Sequence, residues 1–269
     1  MRGQLPGSQR PLPGSTGSGS SADSEFEELG NLLDKEYTCP VCGRVFTAKE
    51  VKSGVAKQSD TDLDLRPVFK NIDVVKYRVV ECPACGFADL SKTFNNILDR
   101  ERKILKEKRV KFEKDAPNEE YAREYAESYR MFKSALRSAL IRGDKSGKRA
   151  YLALNAAWVL RGWREKLEKE GTAVADSDEM STNEERKLIK FALKNFQEAE
   201  TKETFPIAGV IDEPTFDYLM AVLCYKQDQI NDAGRYILRA LQNKSLMKAL
   251  RPKAEDVRDM IKDKRNADK

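Results

Sequence analysis

The chain writes one short device twice. Tyr37–Gly43 reads YTCPVCG and Val80–Gly86 reads VECPACG, so C-P-x-C-G occurs at 39–43 and again at 82–86. These motifs hold four of the five cysteines. Two sulfurs three positions apart on a tight turn can bind one ion from the same side. The glycine that follows admits a positive φ, which lets backbone N–H groups turn towards the sulfurs. Two such turns supply four sulfurs, enough for a closed tetrahedral site. Residues 43–81 separate the pairs. That spacing is longer than a minimal zinc ribbon needs, but an inserted hairpin absorbs it. Cys39, Cys42, Cys82 and Cys85 are therefore the expected metal ligands. Zinc is the expected ion, because four thiolates suit it and it needs no redox partner. Iron in a rubredoxin-like site is the alternative. A closed four-thiolate site has no open coordination position, so its expected role is structural: it lets a small β-rich module fold with little core.

The rest of the composition narrows the function. Histidine is absent, which removes His-based triads, His metal ligands and the usual proton shuttle at neutral pH. No P-loop and no G-x-G-x-x-G occurs. The N-terminal stretch carries charge and no apolar h-region, and the longest mostly apolar run, Ala150–Leu160, is too short to span a bilayer. A cytoplasmic, non-membrane protein is expected, and in a reducing compartment paired CxxC motifs are more often metal sites than disulfides. With 35% charged residues and 40% hydrophobic ones, the chain reads as helical with long charged faces.

Four segments are expected. Residues 1–24, rich in Gly, Ser and Pro, read as a disordered leader. Residues 25–90 form the four-cysteine zinc-ribbon-like module: a short helix at Glu25–Leu33, then β and turn, with the clearest strand at Val74–Val80. Residues 91–116 form a basic amphipathic connecting helix. Its apolar stripe is Ile97/Leu98, Ile104/Leu105 and Phe112, and 100–114 carries eight basic and three acidic side chains. Residues 117–269 form an all-α domain, with helices near 119–142, 147–170, 181–201, 213–228, 231–243 and 252–264. Gly143 and Gly171 are expected stops. Ser181, Asp212 and Asn231 are expected N-caps, and Pro252 suits a first turn. The fold class is α+β: a small zinc-ribbon-like β module followed by an all-α, tetratricopeptide-like stack.

The order of these features resembles a bacterial family known as domain of unknown function 2225. The resemblance rests on Cys39–Phe46 (CPVCGRVF), Asp60-Thr61-Asp62, Tyr77, Val80–Ala88 (VECPACGFA), Leu154–Trp158 (LNAAW) and Tyr218–Leu241. It covers most of residues 37–243 and leaves out the leader and everything beyond about 250. It implies a zinc-ribbon-like module followed by tetratricopeptide-like helices, and no activity. Independently, Tyr225–Leu241 has the form of a tetratricopeptide turn, with Ala221, Ala233 and Ala240 at positions where two helices must approach closely.

Other candidates have plainer readings. Asp60, Asp62 and Asp64 open like a calcium loop, but Leu65 and Asn71 stand where Gly and Glu are needed, so a turn that stabilises the ribbon insertion, or contacts to Lys or Arg, is expected instead. Cys224 reads as a buried small hydrophobe. Trp158, Trp163 and the Tyr121/Tyr125/Tyr129 stripe read as packing. The expected function is a zinc-stabilised interaction or scaffold protein with an unidentified protein partner, and not an enzyme. A nucleic-acid-associated protein using the basic helix is the alternative.

Overall fold

The computed structural model describes residues 27–108, 121–175 and 181–267. Residues 1–26, which include the leader, 109–120, which include the end of the basic segment, 176–180 and 268–269 lie outside those. The front of the chain is three antiparallel hairpins: β1 (Leu32–Thr38) with β2 (Val45–Val51), β3 (Gln58–Thr61) with β4 (Pro67–Phe69), and β5 (Val79–Glu81) with β6 (Ala88–Leu90). Helices follow: α1 (Asp99–Glu107), α2 (Tyr125–Arg142), α3 (Ser146–Lys169), α4 (Thr182–Lys202), α5 (Glu213–Lys226), α6 (Ile230–Gln242) and α7 (Arg251–Ala267). The architecture is α+β, with small hairpins ahead of a helical stack.

From α2 onwards each helix packs on the next. The centre is α3. From Leu152 to Leu160 every residue is buried, Asn155 included, as expected of a helix walled in on all sides. Around it the punctuation works as the residue types suggest. Gly143 closes α2 at φ 71°, donating its N–H to the last carbonyls. Ser181 and Asp212 accept the N–H groups of Glu184 and Thr215 at the starts of α4 and α5. Pro252 sits in the first turn of α7. Ala221, Ala233 and Ala240 are fully buried where α5 meets α6.

Five expectations fail locally. Val74–Tyr77 is a 3-10 turn, and only Val79–Glu81 is strand. The cause is Asp73, whose carboxylate accepts the Val75 N–H at 3.0 Å and curls the chain before it can extend. Asn231 is not a cap; α6 begins one residue earlier, after a tight turn through Asp228 at φ 60°. The first long helix begins at Tyr125, not near 119, because the chain is drawn out to bury Arg123. Its guanidinium donates to the carbonyls of Lys76 and Val79 at 2.9 and 3.0 Å, and its N–H to the Tyr77 hydroxyl at 3.0 Å. Tyr121, expected on that helix's apolar face, is exposed. The short helix at Glu25–Leu33 is one turn at 27–30 among the described residues, with β1 following at once.

The three acidic residues of the β3–β4 hairpin divide their roles. Asp60 is on the surface beside Lys253. Asp62 and Asp64 reach Arg161 on α3 at 2.6 and 2.5 Å, and Asp64 also takes Lys226 of α5 at 3.0 Å. Arg161 is held from the far side by Glu185 of α4 at 2.6 Å. One loop thus ties the hairpin to three helices. Leu65 does adopt the positive φ (68°) that a calcium loop asks of glycine, but protein cations occupy the carboxylates. Burial opposes ionisation of Asp64, yet Arg161 and Lys226 outweigh it and bring the carboxyl down to about 2.

Two outcomes follow. A Cβ on Gly162 of α3 would sit 2.8 Å from the Tyr125 ring and 3.1 Å from the Asp73 carboxylate. Gly162→Ala should therefore lose about 1–3 kcal/mol in urea unfolding, whereas Gly30→Ala, with nothing within 4 Å, should be close to neutral. Asp64→Asn removes the buried carboxylate shared by Arg161 and Lys226 and should cost about 2–3 kcal/mol at pH 7. Because the folded pKa is depressed, the wild-type contribution is complete above about pH 4 and fades as pH falls towards 2. The gap between the two proteins should narrow over that window; a pH-independent gap would remove the ionic account.

Candidate metal centre

Each cysteine motif is the turn of a hairpin. β1 runs into Cys39 and β2 leaves after Arg44; β5 runs into Cys82 and β6 leaves after Phe87. The two turns match bond for bond. Cys39 N–H donates to Arg44 C=O at 2.8 Å and Gly43 N–H to Cys39 C=O at 2.9 Å. Cys82 N–H donates to Phe87 C=O and Gly86 N–H to Cys82 C=O, both at 2.9 Å. Gly43 and Gly86 take φ 77° and 71°, a conformation that a side chain would strain.

Although 39 residues apart in sequence, the turns face each other. Cys39 Sγ is 3.6 Å from Cys85 Sγ, Cys42 Sγ is 3.6 Å from Cys82 Sγ, and all four sulfurs lie within 4.8 Å of one another. A disulfide would need about 2.05 Å, and all five cysteines are free thiols. A tetrahedron with metal–sulfur bonds of about 2.3 Å has edges of about 3.8 Å, so the cluster fits a single ion. Sulfurs this close also compete for protons. Hydrogen bonds from Cys39 and Cys85 hold the Cys82 thiol far below its ordinary value, and the same contacts keep Cys39 and Cys85 above theirs. A bound dication lifts that restriction and lets all four ionise.

A small apolar core surrounds the sulfurs. Tyr37, Val41, Ala48, Val80, Phe87, Phe94 and Leu105 pack with Cys39 and Cys82. Phe94 is its pivot, with ring centroids 5.5 Å from Tyr37, 5.1 Å from Phe87 and 5.9 Å from Phe46. The two hairpins are anchored differently. Val79 and Ala88 belong to the core of the helical stack, and β5 and β6 lie on α2. Asp89 is completely buried and binds Arg142 of α2 at 2.9 Å and Lys148 of α3 at 2.7 Å; Arg142 also lies over the Phe87 ring at 5.7 Å. The β1–β2 hairpin meets the rest of the chain through the sulfurs, the Phe94 cluster and, at its open end, the packing of Leu32 and Val51 with Ile72 and Tyr77. A cavity of about 270 Å³, lined by Cys42, Cys85, Val41, Phe87, Leu105, Lys106 and Ser138, opens beside the cluster.

The remaining sequence candidates fall elsewhere. In α1, Arg100, Lys103 and Lys106 are exposed, Arg102 pairs with Asp99 at 2.9 Å, and Leu105 points to the sulfur cluster. Arg109, Lys111, Phe112 and Lys114 lie outside the described residues. Cys224 is buried in α5, and burial pushes its thiol up to about 12. Trp158 is core and Trp163 lies at its edge. Sequence reasoning missed Asp89, Arg142 and Lys148. The available signal was a lone carboxylate in the apolar stretch Phe87–Leu90, a place where an acid needs a buried partner.

Twin hairpin knuckles that can hold a metal ion, the second set into a helical stack, define the class of protein. The chain belongs to the family described as Uncharacterized protein conserved in bacteria (DUF2225), whose model matches residues 32–267. The match runs past the limit expected near 250 and takes in α7. Searches among curated proteins and among solved structures returned no match. No helix among the described residues is long and apolar enough to cross a membrane.

The site makes a direct prediction. Elemental analysis of the purified chain should find one equivalent of metal, and Cys82→Ser should lose it. Stripping the metal should expose the β1–β2 hairpin to trypsin while α3–α5 stay protected. Less than half an equivalent in the wild type would refute the site.

Proposed function

We propose that this chain is a zinc-stabilised interaction or scaffold protein of the bacterial cytoplasm, in which the ion holds the front hairpin against a helical stack that binds a protein partner. One observation carries the reading: four sulfurs surround a single point, and two of them sit on the turn of a hairpin whose Val79 and Ala88 are built into the helical core. An ion held by four protein sulfurs keeps no coordination position for a substrate, which favours a fastening role over catalysis. Zinc is preferred to iron because a fastener needs no redox change. The alanine-seamed pairing of α5 and α6 supports a tetratricopeptide-like hairpin, an architecture whose concave faces bind peptide segments.

Exposure of Arg100, Lys103, Lys106 and Lys108 on and after α1 favours a second reading, association with nucleic acid. The two separate in one experiment. The tagged chain, recovered from its native host with and without nuclease, should retain a stoichiometric protein partner in both cases. The complex should survive Lys103→Glu with Lys106→Glu. Recovery of nucleic acid alone, with affinity falling steeply as salt rises, would replace the first reading with the second.

A further inference from the structure

We infer that Cys42 is a site of oxidation by small hydroperoxides and that Cys82, across the cluster, is the thiol that resolves it. The inference rests on the metal-holding reading above and adds a substrate class and a reaction order. The four sulfurs are not equally reachable. Cys39 and Cys82 are buried, Cys85 is half-buried, and Cys42 is exposed. The cavity of about 270 Å³ beside the cluster is lined by Cys42 and Cys85 and by neither buried cysteine. Its size suits a molecule of a few heavy atoms. Phe87, Val41 and Leu105 make its wall apolar, and Lys106 brings a positive charge to the space in which hydroxide would depart.

The chemistry balances with the peroxide as the only added oxidant. The Cys42 thiolate attacks one peroxide oxygen; an S–O bond forms, the O–O bond breaks, and hydroxide leaves. The resulting sulfenic acid then lies beside Cys82, whose sulfur is 3.6 Å from that of Cys42. Attack by the Cys82 thiolate forms the S–S bond, breaks the S–O bond and releases a second hydroxide. Two thiolates are oxidised by two electrons, and one peroxide is reduced to two hydroxides. The sulfurs need close only from 3.6 Å to about 2.05 Å. The product links hairpin β1–β2 to hairpin β5–β6 covalently and leaves Cys39 and Cys85, too few to keep the ion. The joint between the hairpins thus changes from ionic to covalent without the hairpins separating.

Trypsin reports the outcome. Cleavage after Lys and Arg places Cys39 and Cys42 together in 36–44, and Cys82 and Cys85 together in 79–92. Metal content of the full chain is measured first; too little metal at that point counts against the proposed function, independently of what oxidation does. One equivalent of hydrogen peroxide is then added, with a chromogenic chelator to follow release. The expected result is loss of the ion, a fall from five free thiols to three, and a crosslink between the two peptides that fragmentation assigns to Cys42 and Cys82. Cys224→Ser should behave identically, apart from one thiol fewer throughout. A bridge confined within 36–44, a first bridge between Cys39 and Cys85, or retention of the ion with all thiols intact would each overturn the assignment. The same digest on metal-stripped protein keeps the pairing testable if the ion proves absent.

Discussion

Four thiols held within 4.8 Å of one another cannot all ionise unless a cation stands among them. That electrostatic constraint governs the front of this chain. The β1–β2 hairpin contributes only Tyr37, Cys39, Val41 and Ala48 to the buried cluster around the sulfurs, and much of its remaining length is exposed. A two-stranded hairpin with so little core is marginal alone in water. Convergence of its cysteines on those of a second hairpin gives it a fixed position, and Phe94 fills the space that the paired turns leave between them.

The two knuckles match in backbone and differ in surroundings. The second is part of the helical stack. Its strands lend Val79 and Ala88 to the main core, and Asp89 is met by two cations, one from each of two helices. The first is attached to that platform. The sulfur cluster is therefore a junction between the hairpin built into the stack and the hairpin attached to it, with the Asp62–Asp64 loop forming a separate electrostatic tie further along. The sulfur cluster, which can hold an ion, and the ionic loop are thus two ties of different chemistry between the β elements and the stack.

Much of this was legible. Repeated C-P-x-C-G announced both turns, because few residue patterns place two sulfurs and a left-handed glycine in five positions. Helix limits followed from local devices that act over one turn: Gly143, Ser181, Asp212 and Pro252 all sit where their chemistry suggests. Errors arose where one specific side-chain contact, near or far, overrode the average preference of a stretch. Val74–Tyr77 has the β-branched character of a strand, but Asp73 caps it into a turn, and that turn is further fastened by Arg123. Arg123 itself reads as an ordinary helix residue until its backbone is seen drawn out to reach Tyr77.

By itself the sequence determined the ligand chemistry, the helical content and the stops between helices, since each depends on neighbours a few positions away. Tertiary structure decided which sulfur faces which, that Cys42 lies at the surface while Cys82 is enclosed, and that Asp64 and Asp89 meet their cations from helices far along the chain. Those outcomes depend on groups separated by tens of residues. No periodicity or propensity encodes such separations, and only the packed chain brings the charges and sulfurs within bonding distance.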